Sequence, residues 1–333
     1  IINIIKTQIS GEKFPWLLFF IALSIRLIFI SNLNQEYQWP DEIDYDAIAR
    51  RLLRGDGYGN WLLRGPLYSI VLWVIYSFTG IHFLAVRIFQ ALLDSGTCLM
   101  VIYLGRMLFN NKSGLISGLL YSIYPFFIYF TGILLSENLF IFLIVATILF
   151  GIKFQQKIEI KNLILFSVSL GLLILCRPIA QIYLFPFCMW VIYLMYRLKL
   201  SRSQILLFGL SLLLFSLVTI APWSYRNYKV HNKFIFISTG GGRMFWYGNG
   251  PHATLSGTKP FPEEMNNKLL ELNGHEPNNE DYNFSEAKAY MDKNSEIFDN
   301  IYINYERSEY LYQEAFQYIF DNPKVFLKNY FKK

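Results

Sequence analysis

Long apolar blocks separated by short polar segments fill the first two-thirds of the chain. The blocks Phe14–Ile30, His82–Leu104, Ser113–Tyr129, Gly132–Ile152, Asn162–Cys176, Ile179–Tyr196 and Gln204–Ala221 read as membrane-crossing helices. A further apolar stretch, Pro66–Thr79, is shorter, and its length fits a re-entrant or interfacial helix better than a full span. After Ala221 no run is long enough to cross. There "STGGGRMFWYGNGP" (Ser238–Pro251) reads as a glycine-rich loop with strand-like flanks, "KFIFIS" before it and "MFWYG" within it. "NGHEPNN" (Asn273–Asn279) is a second loop, Tyr305–Phe320 has helical character, and "DNP" (Asp321–Pro323) marks a helix break. The expected fold is mainly α: a polytopic helical membrane protein with a C-terminal external α+β segment. Residues 1–221 form the transmembrane module, with an outer loop at 31–65 and the re-entrant stretch at 66–79. Residues 222–333 form an external, membrane-apposed segment.

Composition agrees with a membrane protein. Hydrophobic residues make up 54% of the chain and aromatic residues 18%, which is unusual for a soluble domain of this length. Cys98, Cys176 and Cys188 all lie in apolar runs, so they offer neither a disulfide framework nor metal-ligand spacing. The four histidines are scattered and form no metal cluster. The net charge of +6 follows the membrane pattern rather than a nucleic-acid patch. With a cytoplasmic N-terminus and Pro66–Thr79 not crossing, the inner segments carry ten Lys/Arg (Lys6, Lys13, Arg106, Lys112, Lys153, Lys157, Lys161, Arg197, Lys199 and Arg202) against Glu12 and Glu159. The outer loop Ser31–Gly65 holds six acids against four bases. Were Pro66–Thr79 to cross, three of the basic loops would move outside, against the positive-inside rule. The expectation is seven spans, with the acidic loop and everything after Ala221 outside. The first span is expected to act as a signal anchor, and the chain to be part of a longer protein with further spans.

The outer loop holds the candidate chemistry. In "QWPDEIDYDAIARRLLRGDGYGN" a helix over Asp41–Leu53 places Asp41, Tyr45, Ile48, Ala49 and Leu52 on one face. Asp46 and Arg50, four apart, can pair on another. Pro40 in the first turn and the acids near the N-terminus suit the helix dipole. An amphipathic surface helix with solvated charges is the competing reading. Arg26, Arg87, Asp94, Glu137 and Arg177 lie at membrane depth, where ionisable groups mark function or a compensating pair. Arg87 and Asp94, seven apart on one face, suggest packing or pairing between spans. By topology, Asp41, Glu42, Arg64, Glu137, Arg177 and Arg226 converge on the outer surface. Arginine forks match phosphate, and a carboxylate can deprotonate an attacking hydroxyl.

The segments "WPDEIDYDAIARRLLRGDGYG", "RGPLYSIVLWVIYSFTG" and "AVRIFQALLDSGTCLMVIYLGRMLF" carry a family resemblance. "YPFFIYFTGILLSENLFIFL", "CRP" and "APWSYRNYKVHNKFIFISTGGGRMFWYGN" continue it in order. Together they resemble the GT-C fold, glycosyltransferase family 39-like enzymes, which include protein O-mannosyltransferases and lipid A aminoarabinose transferases. The resemblance implies transfer of a sugar from a polyprenyl-phosphate-linked donor to an acceptor hydroxyl, with inversion at the anomeric carbon. The family's acidic pair maps onto Asp41 and Glu42, with Tyr45, Ile48 and Ala49 completing the motif. Asp41 would be the general base, and Glu42 would support it or contact the acceptor. Arg64 would stabilise the phosphate leaving group, although Gly65-Pro66 stands where relatives have Pro-Pro. Glu137 would contact sugar or acceptor, and Arg177, Arg226 and Arg243 are candidate phosphate contacts, against a reading as headgroup anchors.

No MIR-type domain is evident after the seventh expected span, which argues against the eukaryotic protein O-mannosyltransferases as the nearest group. No metal or other cofactor is indicated, although Asp41, Glu42 and Glu137 could in principle share a divalent ion. The implied partners are the lipid-linked donor, a hydroxyl acceptor (protein, lipid or glycan) and membrane lipids, with no nucleic acid. The expected location is a prokaryotic plasma membrane, multi-pass, with the active site outside. A lipid-linked-sugar transporter or a non-catalytic polyprenyl-phosphate-binding subunit is the alternative.

Overall fold

The structure, a computed structural model, describes residues 13–250 and 305–332. Thirteen α-helices and one short 3₁₀ helix are the regular elements among the described residues. They fall into two units: Ile1–Gly57 with Pro66–Pro222, and Tyr58–Gly65 with Trp223–Lys333.

The first unit begins with α1 (Lys13–Ser31), α2 (Pro40–Arg54), α3 (Leu67–Thr79) and α4 (Phe83–Leu108). α5 (Asn111–Ile123), α6 (Pro125–Thr131), α7 (Glu137–Gln156) and α8 (Ile160–Cys176) follow. A 3₁₀ helix (Pro178–Tyr183) then leads into α9 (Leu184–Arg197) and α10 (Arg202–His231). Among the described residues, five stretches are long and apolar enough to cross a bilayer: Phe14–Ser31, Phe83–Leu108, Glu137–Gln156, Pro178–Arg197 and Arg202–His231. The bent pair α5 and α6, at 53°, would make a sixth. The count therefore differs from the seven spans expected. Pro125 has no N–H to continue α5, and Tyr124 before it is extended (φ −70°, ψ 119°), so the apolar run breaks in two. At 17 residues α8 is about 25 Å long, short of a hydrocarbon core of about 30 Å.

Two kinds of contact hold the spans together. Leu18 and Ala22 of α1, Cys98 and Ile102 of α4, and Leu115 and Tyr121 of α5 form a buried cluster. Gly105 and Gly114 let α4 and α5 approach closely: a Cβ on Gly114 would lie 2.5 Å from the Ile102 carbonyl oxygen. Small residues at such crossings are how membrane helices gain packing contact. Within the same cluster Arg26 and Asp94 form a fully buried ion pair (Nε–Oδ2 2.5 Å). The Tyr121 hydroxyl donates to Asp94 Oδ1 at 2.6 Å, and Arg26 Nη1 donates to the Ser122 carbonyl at 2.9 Å. Asp94 thus pairs with Arg26 on α1, while Arg87, on the same helix as Asp94, takes other partners. Elsewhere the helices present apolar side chains outward, as Leu207, Leu210 and Leu214 do on α10, which suits a lipid environment.

α2 forms as its pattern predicts. Ile43, Tyr45, Ile48 and Ala49 recur at helical spacing and are buried. Gly55, at φ 84°, ends the helix in the left-handed conformation that favours glycine, its N–H turned to the carbonyls of Arg51 and Leu52.

In the second unit the loop after α10 folds back on that helix. Trp223 Nε1 donates to the Ile237 carbonyl at 2.8 Å, Ser224 Oγ to Phe236 at 2.6 Å, and Asn227 Nδ2 to Ile235 at 3.1 Å. α11 (Gly240–Asn249), α12 (Tyr305–Asp321) and α13 (Pro323–Lys332) complete it. Trp246, Leu311 and Ala315 form the core between α11 and α12. The strand-like reading of this region is corrected. Residues 233–238 form no strand and "MFWYG" is helical, because α11 buries Trp246 on α12 and packs Gly242 against the Ser308 carbonyl. Local β preference yields to that packing. The expected helix over Tyr305–Phe320 and the break at Asp321–Pro323 are both present. The loop expected at Asn273–Asn279 lies outside the described residues.

Candidate functional site

The two neighbouring acids of α2 have opposite environments. Glu42 is fully buried and Asp41 is exposed. Trp39, extended at φ −135°, stands just before the helix, and Pro40 occupies its first position. Glu42 Oε1 accepts the backbone N–H groups of Trp39 (2.7 Å) and Gln38 (2.5 Å), amides that the helix itself leaves unpaired. Its other oxygen accepts the Leu134 N–H at 2.8 Å. Burial pushes the Glu42 carboxyl above its ordinary value, against the opposing pull of those three amides and of the Arg87 charge. Both oxygens are thus committed to the backbone. Glu42 caps α2 and fastens it to the residues before α7.

Thr131, the last residue of α6, and residues 132–136, the non-helical link to α7, are all buried. In a membrane-embedded region such backbone needs side-chain partners. Gln90 Nε2 donates to the carbonyls of Thr131 (3.1 Å) and Ile133 (2.8 Å), and Arg87 Nε donates to Gly132 (2.8 Å). The Tyr45 hydroxyl donates to Ser136 Oγ at 3.2 Å, and the Tyr68 hydroxyl to Gln90 Oε1 at 2.6 Å. These contacts explain why α7 begins at Glu137, later than the expected start at Gly132.

Glu137 opens α7, and its carboxylate pairs with Arg177 at 3.1 Å. Arg177 remains 40% exposed, with its guanidinium carbon 5.6 Å from the Phe140 ring centre. Pro178 directly follows and starts the 3₁₀ helix, as proline at a first helical position does. The next residue of α7, Asn138, is buried, and neither polar atom of its side chain has a hydrogen-bond partner among the described residues.

Asp46 lies at the centre of a buried cluster rather than on a solvated face. It is buried and accepts from Tyr37 Oη (2.6 Å), Tyr76 Oη (2.5 Å) and Arg50 Nε (2.5 Å), joining α2 to α3. The expected Asp46–Arg50 pair is present within this cluster. Burial, the Asp46 charge and its hydrogen bond all push the Tyr37 hydroxyl upward.

Asp41, Glu42, Tyr45, Glu137 and Arg177 all belong to the first unit, where Glu42 and Tyr45 bond Leu134 and Ser136 just ahead of Glu137 and Glu137 pairs with Arg177. Arg64, Arg226 and Arg243 belong to the other. Arg64 is half-buried in Tyr58–Gly65. The Arg226 guanidinium carbon lies 4.9 Å from the Trp223 ring centre and 5.5 Å from that of Tyr58, and it donates to the Gly59 carbonyl. Arg243 lies against Tyr247 one turn along α11, with its Nε donating to the hydroxyl at 3.3 Å. Among the described residues, Asp41, Glu42 and Glu137 are not gathered as a three-ligand group. The residues that sequence reasoning missed are Gln90, Tyr68 and Ser136. For Gln90 the signal is its place in the series Arg87, Gln90 and Asp94, at helical spacing on the mostly apolar α4.

Compared with known protein families, residues 64–225 match the family described as Dolichyl-phosphate-mannose-protein mannosyltransferase. A comparison with curated proteins gives no match. The matched stretch contains Arg64, Arg87, Gln90, Glu137 and Arg177; Asp41 and Glu42 precede it, and Arg226 and Arg243 follow it.

Proposed function

We propose that this chain, whose residues 64–225 match the family described as Dolichyl-phosphate-mannose-protein mannosyltransferase, moves a sugar from a polyprenyl-phosphate-linked donor to an acceptor hydroxyl at the outer membrane face. The observation that carries this reading is the division of labour at α2. Glu42 gives both oxygens to backbone amides, one of them three residues before Glu137, and Asp41 is left exposed on the same anchored turn.

Asp41 takes the acceptor hydroxyl proton as that oxygen attacks the anomeric carbon. The bond from that carbon to the phosphate oxygen breaks, and its electron pair leaves on the polyprenyl phosphate. Attack opposite the leaving group inverts the anomeric configuration. Arg177, partly exposed and steadied by Glu137, meets the phosphate charge with its planar fork. Tyr45 and Glu42 position rather than react.

The test uses the full chain in nanodiscs with radiolabelled dolichyl-phosphate-mannose, a serine- and threonine-containing peptide and native membranes as acceptors. Label moving to an acceptor with release of dolichyl phosphate supports the reading. Donor binding with no transfer in any acceptor sample points to a binding subunit. Donor movement across sealed vesicles without transfer points to a transporter.

A further inference from the structure

Arg87 and Gln90 sit one turn apart on α4 and are almost completely buried, at 0% and 1% exposure. An arginine at that depth is costly unless every donor is used. Here the guanidinium serves two separate segments. Nη1 and Nη2 donate to the carbonyls of Asn34 (2.7 Å) and Glu36 (3.4 Å), in the loop that leads to Asp41. Nε donates to Gly132, in the link that leads to Glu137. Gln90 takes the carbonyls on either side of Gly132, and its own oxygen is held by Tyr68. Glu42, from α2, holds the next N–H along, that of Leu134.

A joint needed only for stability has a simpler solution. Continuing α6 into α7 as helix would satisfy the same backbone groups internally. The chain instead breaks the helix and commits buried polar side chains from α2 and α4 to the backbone of four consecutive residues, Thr131–Leu134. The break fixes where α7 starts, and so where Glu137 stands, against the same guanidinium that fixes the approach to α2.

We infer that Arg87 and Gln90 are positioning residues for sugar transfer, setting the placement of Asp41 relative to Glu137. The inference rests on the proposed roles of those two acids. Neither Arg87 nor Gln90 touches the reacting atoms. Their effect is geometric, and a displacement of about 1 Å at a reacting group can lower turnover about 100-fold.

The experiment compares Arg87→Lys and Gln90→Met with wild type in the full chain. Lysine keeps the charge but has no fork to reach both segments. Methionine keeps the volume of Gln90 and removes its donors. Turnover with dolichyl-phosphate-mannose is measured per folded molecule, alongside the donor KM and the melting temperature. The expected result is kcat lowered about 100-fold with donor KM within about twofold of wild type. Unchanged kcat per folded molecule, with only yield or melting temperature reduced, overturns the inference. So does a change confined to KM. If Arg87→Lys does not fold, Gln90→Met decides by the same criteria. Asp41→Asn runs in parallel: if it transfers at the wild-type rate, the site reading fails and takes the inference with it. If Asp41→Asn is inactive while both variants keep wild-type kcat, the inference alone fails.

Discussion

The carboxylate of Glu42 accepts the backbone N–H of Leu134 at 2.8 Å, across 92 residues of chain. That bond makes α2 and the link ahead of α7 a single fixed joint. In Glu42→Gln the amide NH₂ has no lone pair for one of the three N–H groups now bonded. An unsatisfied buried donor costs about 1–3 kcal/mol. The melting temperature in detergent is expected to fall accordingly, and a melting curve unchanged from wild type would show that the joint carries no stability.

The same carboxyl gives a pH signature. Burial raises its value in the folded protein. Its stabilising contribution is therefore fully present below the unfolded carboxyl value and is lost as pH rises through the raised folded value. Melting curves across that window should show a downward component in wild type that is missing in Glu42→Gln. The same slope in both proteins would assign it elsewhere.

Arg26 and Asp94 test the core of the first unit. Both are fully buried, and removing one partner strands the other charge. Such a loss costs about 3–5 kcal/mol. Asp94→Asn should lower the melting temperature strongly, whereas Arg26→Met combined with Asp94→Leu should recover much of the loss. A double variant no better than the single one would contradict the pairing as its cause.

Close approach of α4 and α5 is tested by two glycines. Gly114→Leu drives a side chain into the Ile102 carbonyl and should disrupt folding, while Gly96→Ala, with open space at its Cβ, should be nearly neutral. Size-exclusion profiles of the two variants in detergent separate these outcomes.

Arg177 is the proposed phosphate contact of the first unit. A charge-assisted hydrogen bond to the donor is worth about 1.5–3 kcal/mol, so Arg177→Ala should raise the donor KM about tenfold or more. An unchanged KM and kcat would make Arg177 only the partner of Glu137.

α2 was legible because its apolar spacing, its early proline and the glycine after it all agree. The spans were legible as apolar runs, but not the break at Tyr124-Pro125 or the late start of α7. "TGILLSE" reads as apolar sequence, and the groups that hold it non-helical come from Glu42, Arg87 and Gln90, far away along the chain. Asp41 and Glu42 look equivalent as neighbouring acids; helical rotation turns one outward and the other toward the Leu134 amide. Arg226 looked like a phosphate ligand, and spacing gave no hint of the Tyr58 and Trp223 rings beside it. The Asp46–Arg50 pair was legible from its spacing, but not the Tyr37 and Tyr76 hydroxyls, which reach Asp46 from outside its own helix.

The measurement that bears most directly on the proposed chemistry is single-turnover transfer from dolichyl-phosphate-mannose by Asp41→Asn, with donor binding measured separately. Loss of a general base is expected to lower the rate about 100-fold or more, with donor affinity within about twofold of wild type because Asp41 meets the acceptor. Transfer at a near wild-type rate by folded Asp41→Asn would contradict Asp41 as the base.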